Sequence, residues 1–146
     1  MGISDMLKKE FEHWEVVFES DYPPSDRVAV RKWGWYMAFK HPVKGSRVEF
    51  RLHDAKYVFG TNFPREYMVE VIYFPYGYER EDIRYREVVY GDTLEGVFSK
   101  ALEAWRTRIP KEEKKPKYAK QTYLKDFLYA LIPLSLMVAV ARSKQQ

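Results

Sequence analysis

Cysteine is absent from all 146 residues. Its absence excludes a disulfide framework, a thiolate zinc site and a cysteine nucleophile, and argues against a small stapled secreted domain. Side-chain amides are nearly absent as well. Asn62, Gln121, Gln145 and Gln146 are the only ones, in a chain that is 32% charged. Few thermolabile amides beside dense charge is the pattern of a hyperthermophile's protein, and a hyperthermophilic archaeon, or one of its plasmids or viruses, is the expected source.

Histidine is scarce and scattered. His13, His41 and His53 form no HxH or HExxH spacing, so no metal site is expected. The seven glycines stand singly. There is no GxSxG, no GxGxxG and no phosphate-binding loop. No catalytic constellation emerges, so the expectation is a non-enzymatic protein with no cofactor and no identified small-molecule substrate. Gly2 lacks the Ser or Thr that myristoylation needs, because Met6 stands at that place. Met1 to Phe11 is interrupted by charge before any signal-peptide apolar region develops.

A hydrophobic run of full membrane length is also missing. The longest uncharged stretch is Phe127 to Ala141, fifteen residues. As a helix it spans roughly 22 Å, short of the ~30 Å hydrocarbon core. Read at helical periodicity it has no polar face, so protein or lipid must enclose it on every side. Pro133 in mid-run is better tolerated in a membrane helix than in a soluble one. The contact residues are Phe127, Leu128, Leu131, Ile132, Leu134, Leu136, Met137, Val138 and Val140. They face lipid in one reading and an oligomer or core interface in the other.

What the chain does hold is enough apolar material for a core, 46% hydrophobic and 17% aromatic. The net charge of +4 is unevenly placed. From Ile109 onward it is +5, and the rest of the chain is −1. Lys111, Lys114, Lys115, Lys117, Lys120 and Lys125 precede the apolar run. Such a cluster attracts anionic headgroups and keeps its flank cytoplasmic. The expected partners are therefore a membrane through the C-terminal helix, a protein or second copy, and, less favoured, nucleic acid.

Along the chain, Ser4 is placed to cap a helix over Ser4–His13, followed by a strand over Trp14–Ser20, with a single helix to Phe18 as the alternative. DYPPSD breaks the pattern. Arg27–His41 alternates with branched and aromatic residues and reads as a long strand, bent at Gly34. Arg47–Asp54 alternates most clearly, with Val48, Phe50 and Leu52 inward. Lys56–Phe59 reads as an extension of that edge. Tyr67–Phe74 is apolar on both faces except for Glu70, so it is expected to be central, with Glu70 a candidate buried acid of raised pKa. Ile83–Tyr90 is a further strand. Asp92 with Glu95 resembles a capping box, and Leu94, Val97, Phe98, Ala101, Leu102 and Trp105 form one helical stripe. Arg31, Trp33 and Trp35, with Arg47 and Arg51, are a candidate basic aromatic sheet face, which single-stranded nucleic acid could stack on.

The fold expected is α+β: an antiparallel four- to five-stranded meander, an N-terminal helix, one amphipathic helix packed on one face, and a separate C-terminal apolar helix. Residues 1–108 form the domain, 109–121 a basic linker, and 122–146 the apolar helix, a membrane anchor or oligomerisation element.

Overall fold

The computed structural model describes residues 2–111. Helix α1, Ile3–Glu10, opens the chain. Its N-cap is Gly2 and not Ser4, whose hydroxyl instead donates to Glu19 at 2.6 Å. Strand β1, Glu15–Glu19, follows. The expected long strand from Arg27 is in fact a helix and a strand, α2 (Arg27–Trp33) and β2 (Trp35–Lys40). Two local features decide this. The Asp26 carboxylate accepts from the Ala29 N–H at 3.1 Å, an N-cap bond. Gly34 then adopts φ 72°, which ends the helix at no Cβ cost.

Strand β3, Arg47–Asp54, keeps the alternation expected of it. Beyond it lies a correction. Lys56–Phe59 belongs to a short helix, α3 (Ala55–Phe59), because Asp54 accepts from the Tyr57 N–H. Strand β4, Tyr67–Phe74, leads through a 3₁₀ turn, Gly77–Arg80, into β5, Tyr85–Gly91. The last described helix, α4, spans Leu94–Thr107. Thr93, not Asp92, caps it, accepting from the Gly96 N–H. Asp92 holds Arg65 and the Glu66 N–H instead.

The five strands pair antiparallel in sequence order, β1-β2-β3-β4-β5. The register stacks Phe39, Val48 and Tyr73 in one row and Met37, Phe50 and Val71 in the next. Trp35, Leu52, Val69 and Val89 form a third row. Helices α1 and α4 lie over this face. Leu7 and Phe11 come from the N-terminal segment, and Val97, Phe98, Ala101 and Trp105 from α4. Phe11 stacks on Phe39 at 4.7 Å, and Trp105 meets Tyr73 edge-on at 5.2 Å. Each such side chain contributes roughly 1.5–3 kcal/mol by leaving water. Leu94–Trp105 thus buries the stripe read from the sequence.

The apolar run 127–141 lies outside the described residues, as do Lys114, Lys115, Lys117, Lys120 and Lys125. Among the described residues, no helix is long and apolar enough to cross a membrane.

Candidate functional site

The second sheet face has no helix over it among the described residues. On it Arg47 lies over the Tyr78 ring at 4.2 Å and Arg51 over the Tyr36 ring at 5.1 Å. Glu49, at mid-strand on β3, is 2% exposed. Its neighbours two residues either way on the same face are Arg47 and Arg51. Arg47 Nε donates to Glu49 Oε2 at 3.2 Å, and Arg51 donates to Oε1 at 3.2 and 2.8 Å. The Tyr78 hydroxyl, brought over by the 3₁₀ turn, donates to the same carboxylate. Burial pushes the Glu49 carboxyl up, but Tyr78, Arg51 and Arg47 outweigh it and hold the group below its ordinary range. Burial and the Glu49 carboxylate push the Tyr78 phenol up.

A second cluster adjoins it across the β3–β4 pair. His53 Nε2 lies 3.0 Å from Glu70 Oε1, and Arg86 Nε donates to Oε2 at 2.7 Å. The Glu70 pKa is held down to about 2, mainly by the His53 hydrogen bond, with Arg86 second, against opposition from burial. This corrects the expected raised acid: partners, not desolvation, win at this strand position. A third carboxylate, Asp54, is 2% exposed and accepts from Arg27 Nε and Arg31 Nε, each at 3.1 Å. Burial opposes its ionisation, but the Tyr57 N–H and the two arginines keep it low. All three carboxylates are fixed anions with donors already in place. Their chemistry near neutral pH is that of structural salts, since a general acid needs a proton to give at its working pH.

The candidate basic aromatic platform is not assembled as expected. Arg31 and Trp33 lie on α2, not on a strand. Trp35 is buried at 1% exposure, with Nε1 donating to the Tyr22 carbonyl at 3.0 Å. Only Arg47 and Arg51 share the open sheet face, and Glu49 holds both. Gly34 is the physical reason, since the helix ends there and Trp33 and Trp35 enter different surroundings. Lys111 also has a local role. Its ammonium donates to the Trp105 carbonyl and to the Ile109 carbonyl at 3.0 Å, and lies 4.7 Å over the Trp105 ring. It satisfies the C-terminal end of α4, and burial lowers its pKa.

The structure adds surfaces that periodicity did not flag. Val28 and Trp33 on α2 and Tyr57, Val58 and Phe59 on α3 are all at least half exposed. These two helices lie together at one end of the sheet, tied through Asp54. Val16, Val17 and Phe18 are exposed along β1. The signal for the α3 group was the run Tyr57-Val58-Phe59 itself, three large apolar residues with no polar one between. A recess of about 400 Å³ runs beside β5, lined by Arg65, Tyr90, Lys100 and Arg108 among others. Its cations are engaged: Arg65 with Asp92 at 3.0 Å, Lys100 with the Tyr90 carbonyl at 2.8 Å, and Arg108 with Glu87 at 3.1 Å. Among the described residues, no group of three or more His, Asp or Glu is placed to hold a metal ion.

No family model, no curated protein and no solved structure matches this chain.

Proposed function

We propose that the protein is a non-enzymatic interaction module of a hyperthermophile, tethered at the cytoplasmic face of the membrane by its apolar C-terminal stretch. The observation that supports this is closure of the core within residues 2–111. Helices α1 and α4 already cover the apolar sheet face, and Phe39, Val48, Phe50 and Val71 beneath them are 0% exposed. The run 127–141 is therefore not required to complete that core. Fifteen uncharged residues behind a lysine-rich segment then call for an enclosure of their own, and anionic lipid suits both. The exposed apolar side chains of α2, α3 and β1 supply surface for a protein partner.

The soluble homo-oligomer, with the apolar run 127–141 buried between subunits, is the second reading, and the exposed Trp33, Tyr57 and Phe59 offer further apolar surface for subunit contact. The nucleic-acid reading has less support, since phosphate would have to compete with Glu49 for Arg47 and Arg51.

Fractionation of full-length protein, and of a version ending at Gln121, tests the tether. The expected result is full-length protein in the membrane fraction and the shortened chain in the soluble one. Full-length protein that stays soluble without detergent would rule the tether out. A soluble oligomer that becomes monomeric on the same truncation would establish the second reading.

A further inference from the structure

Among the described residues β1 and β5 are the edge strands of the sheet, and their chemistry differs. The β5 edge carries Arg86 and Glu87, and the Lys100 ammonium occupies the Tyr90 carbonyl. Charge along an edge discourages strand pairing. The β1 edge presents Val16, Val17 and Phe18, at 42%, 38% and 48% exposure. The Ser20 N–H donates to the Tyr36 carbonyl at 3.0 Å, toward the sheet. Polar groups of successive residues in an antiparallel strand turn to opposite sides. The N–H and C=O of Glu19 therefore point away from the sheet and, among the described residues, meet no further strand.

We propose that β1 accepts a short extended segment of a basic protein partner, which adds to the sheet as a further strand. The proposal rests on the interaction-module reading and names its partner. Main-chain bonds supply the affinity in this mode, and flanking side chains supply the choice. Charge identifies the guest. Glu10, Glu12, Glu15, Glu19 and Asp21 fall within twelve residues that hold no lysine or arginine. Arg106 engages Glu10, and Lys8 lies 3.5 Å from Glu19. Among the described residues, Glu12, Glu15 and Asp21 make no salt bridge to a lysine or arginine, although Lys40 stands opposite Glu15 on β2. A guest with apolar residues against Val17 and Phe18 and cations beyond each end meets this edge.

The same charges reject the other occupants. A second copy paired antiparallel about Val17 sets Glu15 against Glu19, and a parallel pairing sets each glutamate beside its twin. Like charges directly opposite are destabilising. Anionic lipid and nucleic acid meet the same repulsion. The register shift between Val16 and Phe18 bends the strand, so the guest must be short.

The test uses full-length protein, in detergent where the tail requires it. The probe is a labelled peptide of alternating valine and threonine closed by lysines at both ends. Its comparator is the same peptide closed by glutamates. Anisotropy should show the lysine peptide binding about tenfold tighter or better, with affinity falling as salt rises. Val17→Ser and Glu15→Lys should each weaken it about tenfold while leaving the thermal midpoint in place, since both side chains are exposed. Peptide should also slow hydrogen exchange at the Glu19 amide. Equal binding of the two peptides, no binding at all, or exchange protection confined to other strands would overturn the proposal. So would a dimer that Val17→Ser dissolves. Fractionation reports on the tail and not on β1, so the tether and the strand-accepting edge fail independently.

Discussion

Arg51 grips one oxygen of Glu49 with two of its nitrogens, at 3.2 and 2.8 Å, on a sheet face with no helix above it among the described residues. The arrangement explains how a carboxylate that is 2% exposed survives at mid-strand. Arg47 and Tyr78 fill the other oxygen, and Arg47 also lies 4.2 Å over the Tyr78 ring. Among the described residues this network, and not a helix, lies on that face. Glu49→Gln keeps the shape but leaves two guanidinium groups without their anion. Solvent reaches Arg51, whose side chain is 35% exposed, and this discounts the full cost of a broken buried pair. The expected loss is about 2 kcal/mol of unfolding free energy, read from denaturant midpoints at unchanged slope. A loss under about 0.5 kcal/mol would show that water already serves the cluster.

Glu70 sets an acid limb to stability. Its folded pKa of about 2 lies below the ordinary 4.5. The unfolded chain therefore binds more protons between these values, and stability falls as pH falls. The contribution is fully present above about pH 4.5 and is lost on descent toward 2. The side chain is 14% exposed, so most of the shift is retained, up to about 3 kcal/mol. Glu49 and Asp54 are held low in the same direction and add to the same window. Unfolding curves from pH 6 down to 2 should fall less steeply for Glu70→Gln than for the parent. Identical slopes would remove Glu70 from the account.

Gly34 carries the turn from α2 into β2. Its φ is 72° and ψ −178°, a region essentially reserved to glycine. A Cβ there would also come within 3.1 Å of the Leu52 carbonyl oxygen. Gly60 has φ 113° but nothing within 4 Å of such a Cβ. Gly34→Ala is therefore expected to cost about 2–3 kcal/mol and Gly60→Ala about 1 kcal/mol, compared by thermal unfolding. Equal losses would mean that backbone strain alone decides both sites.

Much of this fold was legible because period and burial agree. Val48, Phe50 and Leu52 alternate on β3, and Leu94 to Trp105 repeats at helical spacing. One face of each element packs, so pattern and structure coincide. Where pattern and structure part, the causes differ. In Arg27–Trp33 the branched, alternating residues favour a strand, yet the Asp26 cap, the Asp54 salt and Gly34 favour one short helix. Asp26 and Gly34 flank the segment, but the branched, alternating residues outweigh them in the pattern, and the Asp54 salt that supports the helix is distant in sequence. Glu70 was visible as a polar residue in an apolar strand. Its direction of titration was not, because His53 and Arg86 sit on the two neighbouring strands. Lys56–Phe59 reads as an extension of the edge, yet Asp54 caps it as the short helix α3.

Trp33 and Trp35 make the sharpest test of that lesson, since alternation placed them together. Trp35 meets Phe98 edge-on at 5.7 Å and bonds the Tyr22 carbonyl. Trp33 is 68% exposed, with the Tyr22 ring 6.2 Å away and Lys32 Nζ 5.7 Å over its face. Trp35→Ala opens a core cavity and orphans a carbonyl, an expected cost of about 3–5 kcal/mol. Trp33→Ala removes one thin aromatic contact and should cost under about 1 kcal/mol. Fluorescence gives an independent readout. Acrylamide should quench the Trp33 contribution strongly and leave that of Trp35 nearly untouched, so loss of Trp33 lowers the quenchable fraction. Comparable destabilisation by the two changes would return Trp33 to the core and remove it from the exposed group on α2.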